Sequence, residues 1–368
     1  MMYDQIRGDT LYIMLYTVVT TMAMMASCYL LLRRANAIAP DVTSSVRLRR
    51  WTGVFFASIA LNHVWYMPIF FLSSSEDIIV TDLIGGLLDF MTVFPLAIIV
   101  LFVMLQDRRR PLWPVAVMMA PLVVGEVFCL AHRSYAPLPL VYVYSLLICI
   151  GLIIYFVRAL RQYGRWLRDN YADLEHKEVW QSFLVLAIML LVFGIYVFIS
   201  EGPAYQYAMQ VIFVVLICFL LWRVETLSEL SMPGHDVEVE VQALPHGSSL
   251  TFRNDIGPLL KQHCEESQLY LQHDLTLPQL AQDIGMNRVY LSQFFSSQNM
   301  TYNAYINGLR IRHFINLYHE SAETHQPVTA QQLAYQSGFR SYNTFSVAFK
   351  KVMGMTATEW MRKVAEQG

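Results

Sequence analysis

LTLPQLAQDIGMNRVYLSQFF at 275–295 and QLAYQSGFRSYNTFSVAFKKVMGMTATEW at 332–360 are two versions of one pattern. Leu280-Ala281 and Gly285-Met286 in the first return as Leu333-Ala334 and Gly338-Phe339 in the second, 53 residues later. The offset becomes 54 where Leu291-Ser292 and Phe295 meet Phe345-Ser346 and Phe349, and 55 where Met300-Thr301 meets Met355-Thr356. Each copy reads as helix, glycine turn, helix. A small Ala lets two helices approach closely, a Gly permits the tight turn, and large apolar residues at helical spacing pin the second helix. The pattern predicts that Leu280, Ala281, Ile284, Leu291, Phe295, Leu333, Phe339, Phe345 and Phe349 are core.

Working outward, Asp274, Thr276 and Pro278 supply capping and first-turn residue types for the first unit, and Val328-Thr329 opens the corresponding helix of the second. Between the units, Tyr305, Ile306, Leu309, Ile311, Phe314, Ile315, Leu317 and Tyr318 form an amphipathic stretch. It predicts a linker helix that spaces the units rigidly, with Arg310 supporting it.

At these residues the chain resembles the DNA-binding domain of the arabinose-regulator (AraC/XylS) family, from Leu275 to Trp360. The resemblance implies two recognition helices entering successive major-groove segments of double-stranded DNA, about 34 Å apart. By position, the first would present Arg288, Val289, Ser292 and Gln293, and the second Ser341, Tyr342, Asn343, Ser346 and Val347. Amides and hydroxyls read base edges, while Val or aromatic carbon suits a thymine methyl. Arg340, Lys350 and Lys351 would hold phosphates. The chain departs from the family pattern in places. Asn299 stands where a glycine is usual, and asparagine tolerates the left-handed conformation. Ala357 replaces a common proline, and Gln293, Ser296 and Val347 stand where basic residues are frequent. Residues 250–368 hold ten basic and nine acidic groups, a net of +1, so weak non-specific DNA affinity is expected.

The rest of the chain is of another kind. Of 368 residues, 55% are apolar and only 15% charged, well below the roughly 25% charged of a soluble globule. Apolar runs near 11–32, 51–72, 80–105, 111–131, 137–157, 180–200 and 204–222 are each long enough to cross a bilayer core. Fourteen of the sixteen basic residues before 224 fall in alternate loops or after the last run. The positive-inside rule then puts the N-terminus outside and the C-terminal part in the cytoplasm. The leader before the first run carries Asp4 and Asp9 against Arg7, the wrong bias for a secretory signal, so an uncleaved first span is expected. The expected fold is all-α: a seven-helix transmembrane bundle over 1–223, an acidic flexible linker over 224–251, and a cytoplasmic double helix-turn-helix domain over 252–368. The linker carries Glu225, Glu229, Asp236, Glu238 and Glu240 with no Lys or Arg. The membrane half does not resemble the family's sugar-binding barrel. It resembles that family's membrane-anchored members, which imply no particular ligand.

Ionisable or strongly polar residues inside spans carry a functional hypothesis. Here they are Asn62, His63, Asp82, Asp89 and Glu126, with Glu201 at the outer end of the sixth span. All sit at or outside the middle of the bilayer by residue count, as the wall of an outward-opening pocket would. Hydrogen bonding between helices accounts for the same residues equally simply.

These features point to a bacterial inner-membrane one-component transcription regulator whose partners are promoter DNA, the bilayer, a signal ligand of unknown identity and a second copy of itself. The other reading is a transporter or channel with a cytoplasmic protein-interaction module. No phosphate loop, nucleophile elbow or zinc-protease helix is present, so no enzyme, catalytic residue or cofactor is expected. The five cysteines show no metal-binding or disulfide spacing, and no metal is expected.

Overall fold

A backbone removed from water must satisfy its own hydrogen bonds, so long apolar runs become helices. The computed structural model describes residues 9–136, 138–188, 203–230, 251–324 and 327–367, and among these no strand occurs. The chain is α1 (Thr10–Leu32), α2 (Val46–Tyr66), α3 (Ser75–Leu88), α4 (Phe94–Met104), α5 (Trp113–Ala131), α6 (Leu138–Asn170), α7 (described over 180–188), α8 (Pro203–Thr226), α9 (Thr251–Leu260), α10 (Leu277–Asp283), α11 (Arg288–Ser297), α12 (Tyr302–Glu323), α13 (Ala330–Gln336), α14 (Tyr342–Met353) and α15 (Ala357–Gln367). Among the described residues six helical runs are long and apolar enough to cross a bilayer: α1, α2, α3 continued by α4, α5, α6 and α8. Of the remaining expected span, 180–200, residues 189–200 lie outside the described residues. The chain divides into two compact units, Met1–Tyr163 with His176–Ser231 and Gly164–Glu175 with Met232–Gly368.

In the first unit the run through α3 and α4 is not a uniform helix. A wide turn over Asp89–Val93 is closed by the Phe94 N–H donating to the Asp89 carbonyl. Pro95 explains it, because its ring lacks an N–H and would strike the carbonyl one turn earlier, so the helix loosens ahead of it.

The sequence also places an arginine-rich loop after residue 157, whereas α6 continues to Asn170. Phe156, Ala159, Tyr163, Leu167 and Asn170 are buried at three- and four-residue spacing, and Arg158, Arg161, Arg165 and Arg168 are exposed. That alternation is the signature of an amphipathic helix, which a count of basic residues alone reads as a loop.

Beyond α8 the chain stays packed as far as Leu230. Glu225 is almost wholly buried, accepting hydrogen bonds from the Ala37 and Ile38 N–H groups at 3.0 and 2.8 Å and from the Tyr29 hydroxyl. Arg49 lies 3.7 Å from it and also donates to Asn36 Oδ1 at 2.7 Å. Ser228 bridges to Ser44, the Glu229 N–H donates to the Thr43 carbonyl, and Gln106 Oε1 accepts from the Leu230 N–H. A carboxylate read from sequence as solvated is therefore the hub that ties α1, α2 and α8 together, its desolvation offset by three donors and a cation. Residues 231–250 lie outside the described residues.

The second unit has two apolar cores joined by one helix. Leu280, Ala281, Leu291 and Phe295 belong to the first core with Ile306 and Leu309 of α12. Leu333, Ala334, Phe339, Phe345 and Phe349 belong to the second with Ile311, Phe314 and Tyr318 of the same helix. Every residue expected to be core is buried. Arg310, fully buried between the cores, donates to the carbonyls of Tyr270 at 2.7 Å, Gln272 at 2.6 Å and His273 at 3.3 Å. The linker helix is thus a shared structural member of both units.

Candidate nucleic-acid interface

Each helix-turn-helix unit opens with the same device. The Thr276 side chain accepts from the Gln279 N–H while the Gln279 side chain takes the Thr276 N–H, and Thr329 and Gln332 repeat this capping box. The turns repeat as well. Gly285 and Gly338 have φ of +74° and +89°, and the Met286 and Phe339 N–H groups donate to the Ala281 and Ala334 carbonyls at 2.8 and 3.2 Å. Asn287 then caps α11 by accepting from the Val289 N–H at 2.8 Å, and Ser341 caps α14 by accepting from the Thr344 N–H at 3.2 Å. The second helices end alike, at Asn299 with φ +52° and Gly354 with φ +73°. Asparagine thus fills the left-handed position expected of it. After Gly354 the Thr356 N–H donates to Glu359 at 3.0 Å, and this bond holds the Glu359 carboxyl below its usual range.

These elements set the candidate contacts. On α11, Leu291 and Phe295 point into the core, leaving Gln293 exposed, Val289 52% exposed, and Arg288 and Ser292 half-buried. On α14, Phe345, Ala348 and Phe349 are the inner face; Asn343 is exposed, Val347 is 66% exposed, and Ser341, Tyr342 and Ser346 are half-buried. Both second helices therefore present small polar groups around one exposed valine, which suits contact with base edges and a methyl group. Lys350 and Lys351 are exposed in the last turn of α14. Arg340 is held 3.4 Å from Asp274, an ion pair between the turn of the second unit and the entry segment of the first. Tyr290, 57% exposed on α11, is an addition that the repeat alone does not single out.

The polar candidates of the apolar helices fall into separate groups. Asn62 Nδ2 donates to Asp89 Oδ1 at 2.6 Å and the Tyr66 hydroxyl donates to Asp89 Oδ2 at 3.1 Å. The Tyr135 hydroxyl donates to Asp82 at 2.9 Å. Glu126 is buried against Gly86 of α3, and its Oε2 has no hydrogen-bond partner among the described residues. His63 faces another way, with Nδ1 2.9 Å from the Ile59 carbonyl and Nε2 3.3 Å from Gln210 of α8. Tyr16 and Phe213 pack on its ring. Tyr12, Tyr16 and Gln210 complete this aromatic and amide cluster and were not singled out by sequence. A signal was available, since Tyr12 and Tyr16 sit one turn apart in the first apolar run. Glu201 lies outside the described residues. Among the described residues no group of His, Cys, Asp and Glu is placed to hold a metal ion.

Comparison with known proteins bears on the second unit. A family described as a helix-turn-helix domain matches residues 280–363. The HTH-type transcriptional activator RhaR of Salmonella heidelberg (strain SL476) is 36% identical over 73 residues, 20% of this chain and 24% of that protein. The proteins of the same name from Salmonella typhi and Salmonella paratyphi B match with the same identity and coverage. The chain thus spans about a quarter of the length of the curated relatives it matches. No solved structure matches it. The paired capping boxes, left-handed turns and shared linker helix agree with these matches: residues 280–363 are a helix-turn-helix domain of the AraC type.

Proposed function

We propose that the chain is a membrane-embedded one-component transcription regulator of a bacterial cytoplasmic membrane, with its N-terminus outside and its DNA-binding domain in the cytoplasm. The observation that carries this reading is the pair of helix-turn-helix units built on one helix, each with a polar exposed face on its second helix. Arg288, Val289, Ser292 and Gln293 act with Ser341, Tyr342, Asn343, Ser346 and Val347 on base edges, and Arg340, Lys350 and Lys351 act on phosphates. The similarity to transcriptional activators over this segment supports DNA binding. Six helices of spanning length and composition support the membrane half.

Sensing is assigned to the polar groups of α2, α3 and α5. A signal that binds one packing of these helices better than another shifts the population of bundle states, and with it the behaviour of the tethered domain. Glu126, Asn62 and Asp89 are the groups best placed to meet a polar ligand, with Asp82, His63 and Glu201 as further candidates. Dimerisation offsets a domain of low net charge by raising the effective concentration of one DNA-binding domain beside another.

The test is genome-wide DNA occupancy of the tagged full-length protein beside an Arg340→Ala, Asn343→Ala double variant. Discrete peaks that vanish in the variant support the regulator. Absence of peaks under all growth conditions overturns it and favours a bundle whose cytoplasmic domain binds protein.

A further inference from the structure

The segment directly after α6 is packed within the DNA-binding unit. Ala172 is fully buried in the first helix-turn-helix core, beside Leu275, Leu277 and Ile306. Its N–H donates to the Leu275 carbonyl at 3.4 Å, and its carbonyl accepts from Asn303 Nδ2 at 2.6 Å and Asn307 Nδ2 at 3.4 Å. Tyr171 pairs with Thr276 as an isolated bridge. These contacts fix the backbone of 171 and 172 against the linker helix and the start of α10.

Two acids, Asp173 and Glu175, follow and reach the second recognition helix. Asp173 is 2% exposed; its Oδ1 accepts from the Glu175 N–H at 3.0 Å, and its Oδ2 is buried without a hydrogen-bond partner among the described residues. Thr344, in the first turn of α14, places its hydroxyl 3.5 Å from Asp173 Oδ1 and 3.4 Å from Glu175 Oε2. Two carboxylates thus stand at the N-terminal end of α14, where helix N–H groups favour an anion such as a phosphate. Burial pushes the Tyr171 hydroxyl up to about 12, against the pull of the Arg288 guanidinium at the start of α11. Arg288 Nη1 is buried with no hydrogen-bond partner among the described residues.

We propose that residues 171–175 are an intramolecular latch: docked, they occupy the N-terminal end of the second recognition helix with carboxylates in place of DNA phosphate, and undocked they free it. The latch rests on the reading of this domain as DNA-binding. Its control is covalent. α6, one of the helices long enough to cross a bilayer, runs unbroken to Asn170, and Tyr171 follows it directly. The loop after α6 is then the control element.

The test uses the full-length protein in detergent micelles and a fluorescent random-sequence duplex at low salt as probe. Asn303→Ala removes the bond to the Ala172 carbonyl without changing charge and should raise duplex affinity about tenfold, within the usual range of coupling between sites. Asp173→Asn with Glu175→Gln should raise it at least as much, and Lys350→Ala with Lys351→Ala should lower it in every background. In the unmutated protein, saturating duplex should speed amide exchange over 171–175. Binding that depends on Lys350 and Lys351 but does not rise in either latch variant overturns the latch and leaves the DNA-binding reading standing. Equal protection of 171–175 with and without bound duplex overturns it as well, and does not depend on any variant folding. Binding indifferent to Lys350 and Lys351 overturns the DNA-binding reading and the latch with it.

Discussion

Gly285 and Gly338 hold equivalent turns, so alanine at each tests how the two units differ in their surroundings. Both glycines are left-handed, a conformation that costs an alanine about 1–2 kcal/mol. Part of this, about 0.4–1 kcal/mol, is recovered because alanine also restricts the unfolded chain. At Gly285 a Cβ meets nothing within 4 Å, so the net loss should be about 1 kcal/mol. At Gly338 a Cβ would stand 2.7 Å from Leu271 Cα and 2.8 Å from its carbonyl oxygen. These are backbone atoms, so the turn itself must move, and overpacking of this kind adds about 1–3 kcal/mol. Movement also stretches the bond from the His273 ring to the Gly338 carbonyl, now 3.1 Å. The difference between the variants should be about 2 kcal/mol, or roughly thirtyfold in the opening equilibrium. Amide exchange over α13 and α14, against α10 and α11, reads it in the full-length protein. Asparagine sharpens the comparison, because it relieves the backbone strain but not the collision: Gly285→Asn should be nearly silent and Gly338→Asn as damaging as alanine. Equal effects at the two glycines would refute the argument that the second turn is seated on Leu271.

Arg310→Met should destabilise the C-terminal unit by about 3 kcal/mol or more, since three carbonyls lose their fully buried donor, and thermal unfolding should show Arg310→Lys recovering only part of it. Glu225→Gln leaves Arg49 without its counter-charge in a buried site; a loss of about 3 kcal/mol is expected, seen as faster exchange of the Ala37 and Ile38 amides. Burial lowers the His313 pKa, with Glu320 acting the other way, so the folded unit binds that proton less readily than the unfolded chain. Stability should therefore fall as pH drops through the unfolded value of about 6.5 and level off below the folded one, and His313→Gln should flatten that part of the profile. Reporter fusions after Arg165 and after Ser74 should score inside and outside respectively; the reverse would refute the assigned orientation.

The helix-turn-helix units were legible because their information is local. Thr276 with Gln279, Thr329 with Gln332, the glycine turns and the phenylalanines at helical spacing each act within a few residues of one another, and a repeat shows them twice. The long apolar helices were legible for the same reason, since length and apolarity belong to the run itself. What stayed hidden depends on partners far away in sequence. Glu225 looks like a solvated acid until Ala37, Ile38 and Arg49 are known to surround it. Arg158 to Arg168 look like a loop until the buried positions between them are known. Asp173 and Glu175 carry no motif at all, and only the fold brings them to Thr344.

The charge of the C-terminal part has a consequence for how such a domain is best controlled. Non-specific affinity for DNA grows with the number of phosphates neutralised, and ten cations against nine anions over 250–368 leave few to act. One of the expected phosphate contacts, Arg340, is already paired with Asp274, whose carboxylate competes directly with phosphate for the same guanidinium. A strongly basic domain would bind DNA through any partial obstruction, and occluding one helix end would change little. A domain near the threshold of binding is different, because two carboxylates at one helix N-terminus are then comparable with the whole favourable field. Low net charge and an acidic segment beside Thr344 are in this sense matched: weak intrinsic affinity is what would give the proposed latch the leverage to decide whether the domain binds.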